Sequence, residues 1–138
     1  MNFVRQPVHI EPKGWGREIW IANNELYCGK ILEIRKGKRS RSITHYHKLK
    51  TESFYLRSGS LLIRICPDPQ SSTIDEYPLK PGDCMDISPG LVHQICALED
   101  SELLEIFRLS TLIPTRSGSW WETNSSLGSI KYLSYTWI

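Results

Sequence analysis

The most informative part of the chain is residues 45–59, which read His45-Tyr46-His47-Lys48-Leu49-Lys50-Thr51-Glu52-Ser53-Phe54-Tyr55-Leu56-Arg57-Ser58-Gly59. In an extended segment, side chains two residues apart point the same way, so His45 and His47 share one face. Glu52 stands at the entry of the next predicted strand, where its carboxylate can reach the same point, and His93 follows a later Pro-Gly turn. Three imidazoles and a carboxylate suit zinc, manganese, iron or nickel, and they leave positions open for water or substrate.

The rest of the sequence is dominated by signals for short strands. Alternation and β-branched or aromatic residues predict strands at 18–22, 28–35, 44–47, 53–57, 61–66, 74–79, 84–87, 91–97 and 103–109. Turn signatures separate them at intervals of about 8–12 residues, which is typical of a β-sandwich or a small barrel. The sequence also predicts one hairpin across Gly59 and another within 84–97.

Two groups of residues carry a family resemblance. The patterns Gly37, His45-x-His47-x4-Glu52-x6-Gly59 and Gly82-Asp83, Pro89-Gly90-x2-His93 resemble the two sequence motifs of the cupin superfamily. Seven residues rather than five separate Gly37 from His45, and Ser88 and Ala97 replace the frequent Pro and Asn, but no ligand position is affected. The resemblance implies a jelly-roll β-barrel with metal motifs at 37–59 and 82–97. It also implies that His45, His47, Glu52 and His93 are the metal ligands, and that the protein forms a homodimer.

A finer resemblance concerns five short segments: Gly14-Trp15-Gly16-Arg17-Glu18, Tyr27-Cys28-Gly29-Lys30, His45-Tyr46-His47, Glu52-Ser53-Phe54-Tyr55 and Leu104-Glu105-Ile106. These are similar to single-domain cupins related to mannose-6-phosphate isomerase and to the C-terminal domain of bifunctional mannose-1-phosphate guanylyltransferase/isomerases. The resemblance implies a metal-dependent isomerase that converts an aldose phosphate into a ketose phosphate through an enediol. Zinc or manganese is the expected metal, and iron or nickel would also suit the ligands.

An enediol mechanism needs a base, and Glu105 is the candidate, with Glu33 as the second choice. Strand parity alone does not decide which of the two points into the barrel. Lys30 shares a strand face with Cys28, Leu32 and Ile34. It is either a buried contact to a sugar oxygen or phosphate, with a part in catalysis, or a strand-end lysine that reaches water.

The segment 35–50 contains seven basic and no acidic residues. It is either a solvated loop face or a phosphate-binding segment at the barrel mouth, where Arg41 and Lys50 are candidate contacts. Tyr46 is a candidate for stacking on a sugar ring, although such a residue commonly packs in a core instead. Two other functions stay open, a metal-dependent dioxygenase and a sugar-binding protein without turnover.

Length and composition narrow the functional classes. The chain has 138 residues, a formal net charge of +2 and 23% charged residues, which indicates one globular domain over 1–138 and argues against a general nucleic-acid or membrane-surface binder. The Ser- and Trp-rich tail 110–138 is expected to pack on the barrel. With no apolar run of about 20 residues and no secretory signal, a cytoplasmic protein with buried, reduced thiols is expected. A small-molecule partner is expected. His9 is expected to have no part in the metal site.

Overall fold

The computed structural model describes residues 3, 5–24, 26–40, 50–68, 70 and 72–109. Within these residues there are nine β-strands and no helix, so the all-β class expected from the sequence is confirmed. The strands are β1 His9–Lys13, β2 Gly16–Asn23, β3 Cys28–Ile34, β4 Lys50–Ser58, β5 Leu61–Cys66, β6 Asp75–Leu79, β7 Cys84–Ile87, β8 Val92–Ala97 and β9 Ser101–Leu109.

The strands form two antiparallel sheets. One sheet has six strands in the order β1-β2-β3-β9-β4-β7, and the other has three in the order β6-β5-β8. The last described strand, β9, therefore lies in the middle of the larger sheet, between β3 and β4. Two sheets that face each other in this way form the jelly-roll arrangement that the sequence predicted.

The core lies between the two sheets and follows the period-two alternation of the strands. On β3, the predicted face of Cys28, Lys30, Leu32 and Ile34 is buried along its whole length. The apolar part of the core is shared between both sheets and consists of Leu32, Ile34, Phe54, Leu56, Leu61, Ile63, Leu79, Ile87, Ile95, Ala97 and Leu103. Removing these side chains from water is the main term that holds the sheets together.

The predicted hairpins are wrong. β4 pairs with β7 and β9, whereas β5 pairs with β6 and β8, so the turn at Gly59 carries the chain from one sheet to the other. β7 and β8 likewise belong to different sheets. A Gly turn between two apolar runs indicates that the chain reverses, but it does not specify whether the second run pairs with the first.

β8 is covered on both faces, and all six of its residues are buried. The segment before residue 41 runs beside it: Ser40 donates its backbone N–H to the carbonyl of Ile95, and the N–H of Ala97 donates to Lys38. An isolated bridge also joins Arg39 to Cys96. These hydrogen bonds pair the edge of β8 that lies away from β5.

The outer face of the six-stranded sheet carries an apolar row. Ile10, Ile19, Ile31, Leu104 and Tyr55 are successive partners across β1, β2, β3, β9 and β4. Ile10 and Tyr55 are exposed, and the three residues between them are half-buried. β1 itself was not predicted, because its sequence contains Pro12 and few apolar residues.

All four cysteines are free thiols, as expected, but only two are buried. Cys28 and Cys96 are buried, whereas Cys66 is half-buried and Cys84 is exposed on β7. The prediction of buried thiols is therefore correct for two positions and wrong for Cys84.

Within the described part of the chain, no helix is long and apolar enough to cross a membrane. The tail 110–138, which was predicted to pack on the barrel, lies outside the described residues.

Candidate metal and acid–base site

Glu52 and His93 meet inside the barrel, although they come from different sheets. Glu52 is on the inward face of β4 and is fully buried, and His93 is on β8 and is 1% exposed. The Oε2 atom of Glu52 lies 3.0 Å from Nε2 of His93. Two of the four residues predicted to bind metal are thus adjacent in space.

The His93 ring is oriented by the backbone. Its Nδ1 lies 2.9 Å from the carbonyl oxygen of Leu91, which can only accept a hydrogen bond, so Nδ1 carries the proton. If the ring carries no second proton, its Nε2 presents a lone pair to the Glu52 carboxylate oxygen 3.0 Å away. Two acceptor atoms this close need a proton or a cation between them. A histidine that donates one ring nitrogen to a backbone carbonyl and presents the other is also the usual form of a metal ligand. These two side chains are therefore of a kind, and in an orientation, that a metal ion can bind.

Lys50 joins Glu52 to Glu105. Its Nζ atom is 2.5 Å from Oε1 of Glu52 and 3.2 Å from Oε1 of Glu105, and the residue is 3% exposed. The ammonium also lies 3.6 Å from the centre of the Phe107 ring, at a distance that allows a cation–π contact. This lysine is enclosed by two carboxylates and an aromatic face.

Glu105 points into the barrel and Glu33 does not. Glu105 is on β9, is 1% exposed, and stands opposite Lys30 in the register of β3 and β9. Glu33 lies on the outer face of β3, where its carboxylate pairs with Arg17 at 2.5 Å. Of the two candidate bases, only Glu105 is placed with Glu52 and His93.

Lys30 is buried, but it belongs to a neighbouring ion pair. Its Nζ atom is 3.2 Å from Oε2 of Glu18, and the indole N–H of Trp20 donates to the same oxygen at 2.9 Å. Burial on its own would raise the pKa of Glu18, but the Lys30 ammonium, the Trp20 N–H and Lys13 together lower it. Of the two interpretations of Lys30 that the sequence left open, the structure shows the buried one, and its ammonium contacts the carboxylate of Glu18.

The two ion pairs are connected through Phe107. The Lys30 ammonium is 5.5 Å from the centre of the same ring that Lys50 contacts. Cys28 packs beside Phe107, and burial raises the pKa of its thiol to about 11. The interior at this end of the barrel is therefore a set of charged groups arranged around one aromatic side chain.

Several predicted site residues cannot be placed. His45, His47, Tyr46 and Arg41 all lie in 41–49, outside the described residues. Within the residues that are described, no group of three or more His, Cys, Asp and Glu is arranged to hold a metal. His9, which was expected to be incidental, pairs with Glu11 at 2.9 Å on exposed β1.

Sequence reasoning missed Glu18 and Phe107. The alternation of Glu18, Ile19 and Trp20 could have placed Glu18 on the buried face of β2. The position of Phe107 depends on the pairing of β9 with both β3 and β4, which joins segments that are distant in the sequence. No local signal reveals that pairing.

Solved structures share this fold. An RmlC-like cupin from Shewanella frigidimarina matches with a TM-score of 0.60 and 18% identity, over 77% of this chain and 86% of that chain. The chain has the cupin fold. The capsular polysaccharide assembling protein CapF from Staphylococcus aureus matches with a TM-score of 0.64 and 21% identity over 78% of this chain. An S161A mutant of Bacillus subtilis oxalate decarboxylase OxdC matches with a TM-score of 0.63 and 20% identity over 87% of this chain.

The chain covers only part of the length of two of these neighbours. It spans 30% of the CapF chain and 37% of the oxalate decarboxylase chain. No family model matches the sequence, and no curated protein matches it.

Proposed function

We propose that this cupin is a metal-dependent aldose–ketose isomerase that acts on a sugar or a sugar phosphate. The observation that carries the proposal is the buried contact of Glu52 with His93, bridged by Lys50 to the carboxylate of Glu105. A pair of metal-ligand types beside a separate buried carboxylate is what an isomerase of this class requires. The neighbour CapF, which is described as a capsular polysaccharide assembling protein, supports a role connected with sugars.

The metal would be held by Glu52, His93, His45 and His47. The two described ligands fit, because the Nε2 of His93 faces the carboxylate of Glu52 with its Nδ1 proton already committed to a backbone carbonyl. When bound, a divalent ion such as zinc or manganese would polarise the C1 and C2 oxygens of the sugar as a Lewis acid.

Both ends of the segment that contains His45 and His47 adjoin this site. Before the segment, Ser40 is hydrogen-bonded to Ile95, two residues after His93. After it, Lys50 contacts Glu52 directly. A chain of nine residues between these two anchors has ample length to reach the barrel interior.

Glu105 is the proposed base. Its carboxylate would remove the proton from C2 of the aldose and deliver it to C1, while the proton of the C2 hydroxyl moves to the C1 oxygen, so that the aldose becomes the ketose through an enediol. Because the residue is 1% exposed, water competes poorly for the proton during the transfer. Lys50 donates a hydrogen bond to Oε1 of Glu105 and keeps the side chain in one orientation.

Substrate contacts are proposed for Lys30, Lys50, Tyr46 and Arg41. Lys30 stands opposite Glu105 on the neighbouring strand, within reach of a ligand that contacts that carboxylate.

A homodimer stays a prediction, for which the apolar row on the outer face of the large sheet offers a surface. Sedimentation of the purified protein tests it.

The proposed function is tested by three variants and two measurements. Metal content of the purified protein is determined first, and then the isomerisation of mannose 6-phosphate and of other aldose–ketose pairs is followed in a coupled assay. His93→Ala should lose both metal and turnover, whereas Glu105→Gln should keep the metal and lose turnover. His9→Ala is the matched control, since His9 pairs with Glu11 outside the site, and it should keep both.

Bound metal without turnover of any aldose–ketose pair would overturn the isomerase proposal. Iron together with oxygen uptake would instead support a dioxygenase, and tight sugar binding without turnover would support a binding protein. Full metal occupancy in His93→Ala would refute the ligand set.

A further inference from the structure

We infer that Lys50 is an internal cation that competes with the metal for Glu52 and so sets the metal affinity of the site. The inference rests on the proposed metal site and adds a positioning residue whose effect is on binding. It is drawn from three features of the described residues: the contacts of Lys50, the charge balance of the buried groups, and the comparison with Lys30.

The Lys50 ammonium contacts Glu52, which is one of the proposed metal ligands. Lys50 lies at hydrogen-bond distance from Oε1 of Glu52, while Oε2 of the same carboxylate faces His93. A carboxylate that binds a metal gives up part of its interaction with any other cation it holds. Inside the barrel, the Glu52 carboxylate can therefore interact either with the Lys50 ammonium or with a metal ion taken from solution.

The buried charges support this competition. Among the described residues, the groups buried together at this end of the barrel are the carboxylates of Glu18, Glu52 and Glu105 and the ammonium groups of Lys30 and Lys50. One more negative than positive charge is present, so a dication would leave a net charge of +1. Without Lys50 the same dication would leave these groups neutral, and a charge-balanced interior is the less costly one.

Lys30 provides a natural comparison. It is buried to the same degree as Lys50, lies near the same Phe107 ring, and also pairs with a buried carboxylate. Lys30 pairs with Glu18, which is not among the proposed ligands. Replacing either lysine changes the buried charge equally, so a difference between the two variants reports contact with Glu52.

The experiment measures zinc and manganese affinity by competition with a fluorescent chelator. The proteins are the wild type, Lys50→Met, Lys30→Met and Lys50→Arg. Removal of a unit charge that contacts the proposed ligand Glu52 should raise the affinity of Lys50→Met by about tenfold or more. Lys30→Met should change it by a smaller factor, and Lys50→Arg, which keeps the charge, should resemble the wild type.

A second variant guards against misfolding. Lys50→Met leaves Glu105 without this cation, so the double variant Lys50→Met/Glu105→Gln removes one charge of each sign and keeps the net charge. It should still bind metal more tightly than the wild type, because Glu52 no longer contacts the ammonium although the net buried charge is unchanged. Circular dichroism shows whether each variant has kept its β-structure.

The outcomes separate this inference from the proposed function. If the wild type and both Lys50→Met variants bind no metal, the metal site and the inference both fail. If the wild type binds metal and the Lys50→Met variants bind it equally or more weakly, or Lys30→Met gains as much as Lys50→Met, the site stands and the inference is wrong. Metal binding by the Lys50→Met variants alone would be the strongest support for competition.

Discussion

Gly59 should tolerate alanine much less well than Gly82, although the two have almost the same backbone conformation. Gly59 has a φ of 92° and Gly82 a φ of 94°, and both values lie in the region that favours glycine. A Cβ atom at Gly59 would lie 2.4 Å from the carbonyl oxygen of Asp100 and 2.6 Å from the Cα of Ser101, whereas at Gly82 nothing lies within 4 Å. Gly82→Ala thus reports conformational strain, and Gly59→Ala reports strain plus a backbone clash.

The magnitudes follow from these two terms. Positive φ costs an alanine about 1–2 kcal/mol, and forcing atoms into a packed position costs about 1–3 kcal/mol more. We expect Gly82→Ala to lower the free energy of unfolding by about 1–2 kcal/mol and Gly59→Ala by about 3–4 kcal/mol. The clash is with backbone, which cannot rotate away, so little of the second term should be relieved.

The assay is urea unfolding followed by circular dichroism. With a slope of roughly 2 kcal/mol per molar urea, the additional loss in Gly59→Ala should move its midpoint about 1 M below that of Gly82→Ala. A Gly59→Ala protein that is unfolded without urea, beside a folded Gly82→Ala, agrees with the same reasoning. Equal midpoints for the two variants would refute it, because the clash would then contribute nothing.

Two further predictions concern the buried groups. Since the pKa of Cys28 is raised to about 11, only roughly one thiol in a thousand is ionised at pH 8, and iodoacetamide should modify exposed Cys84 while leaving Cys28 intact. Peptide mapping by mass spectrometry checks this, and comparable rates at the two cysteines would contradict it. The pKa of Glu18 is lowered below its usual 4.5, so its ion pair with Lys30 stabilises the fold fully above that pH and is lost as the pH falls through the folded-state pKa. Glu18→Gln should be less stable than the wild type at neutral pH, and the gap in urea midpoint should narrow as the pH falls below 4.5; a constant gap would show that the carboxylate does not titrate as described.

Local pattern predicted most of the strands, because alternation reflects burial of one face. On β3, the shared face of Cys28, Lys30, Leu32 and Ile34 is as the sequence indicated, charged residue included. The same reasoning failed for β1, where Pro12 and exposed side chains remove the alternation. It also failed for the turn at Gly59, because strand partners are chosen by contacts across the whole barrel and not by the turn itself.

In the candidate site, too, some features followed from local sequence patterns and others depended on long-range strand pairing. Motif spacing predicted that Glu52 and His93 act together, and they are in contact. Parity did not decide whether Glu105 points inward, because both faces of β9 carry apolar residues. The role of Glu18 as partner of Lys30 depends on the register between β2 and β3, which a single sequence does not reveal.

The position of β9 in the large sheet has a consequence for how the protein is made. β9 is the last of the described strands to be synthesised, yet it is the one that joins β3 to β4. Until it emerges, β1–β3 and the β4–β7 pair are separate pieces with unpaired edges, and such edges are prone to associate with other chains. A nascent chain that stops before Ser101 therefore lacks the strand that joins β3 to β4, and it is not a smaller barrel. Because β9 pairs with strands that are distant in the sequence, we expect the large sheet to close slowly and late in folding.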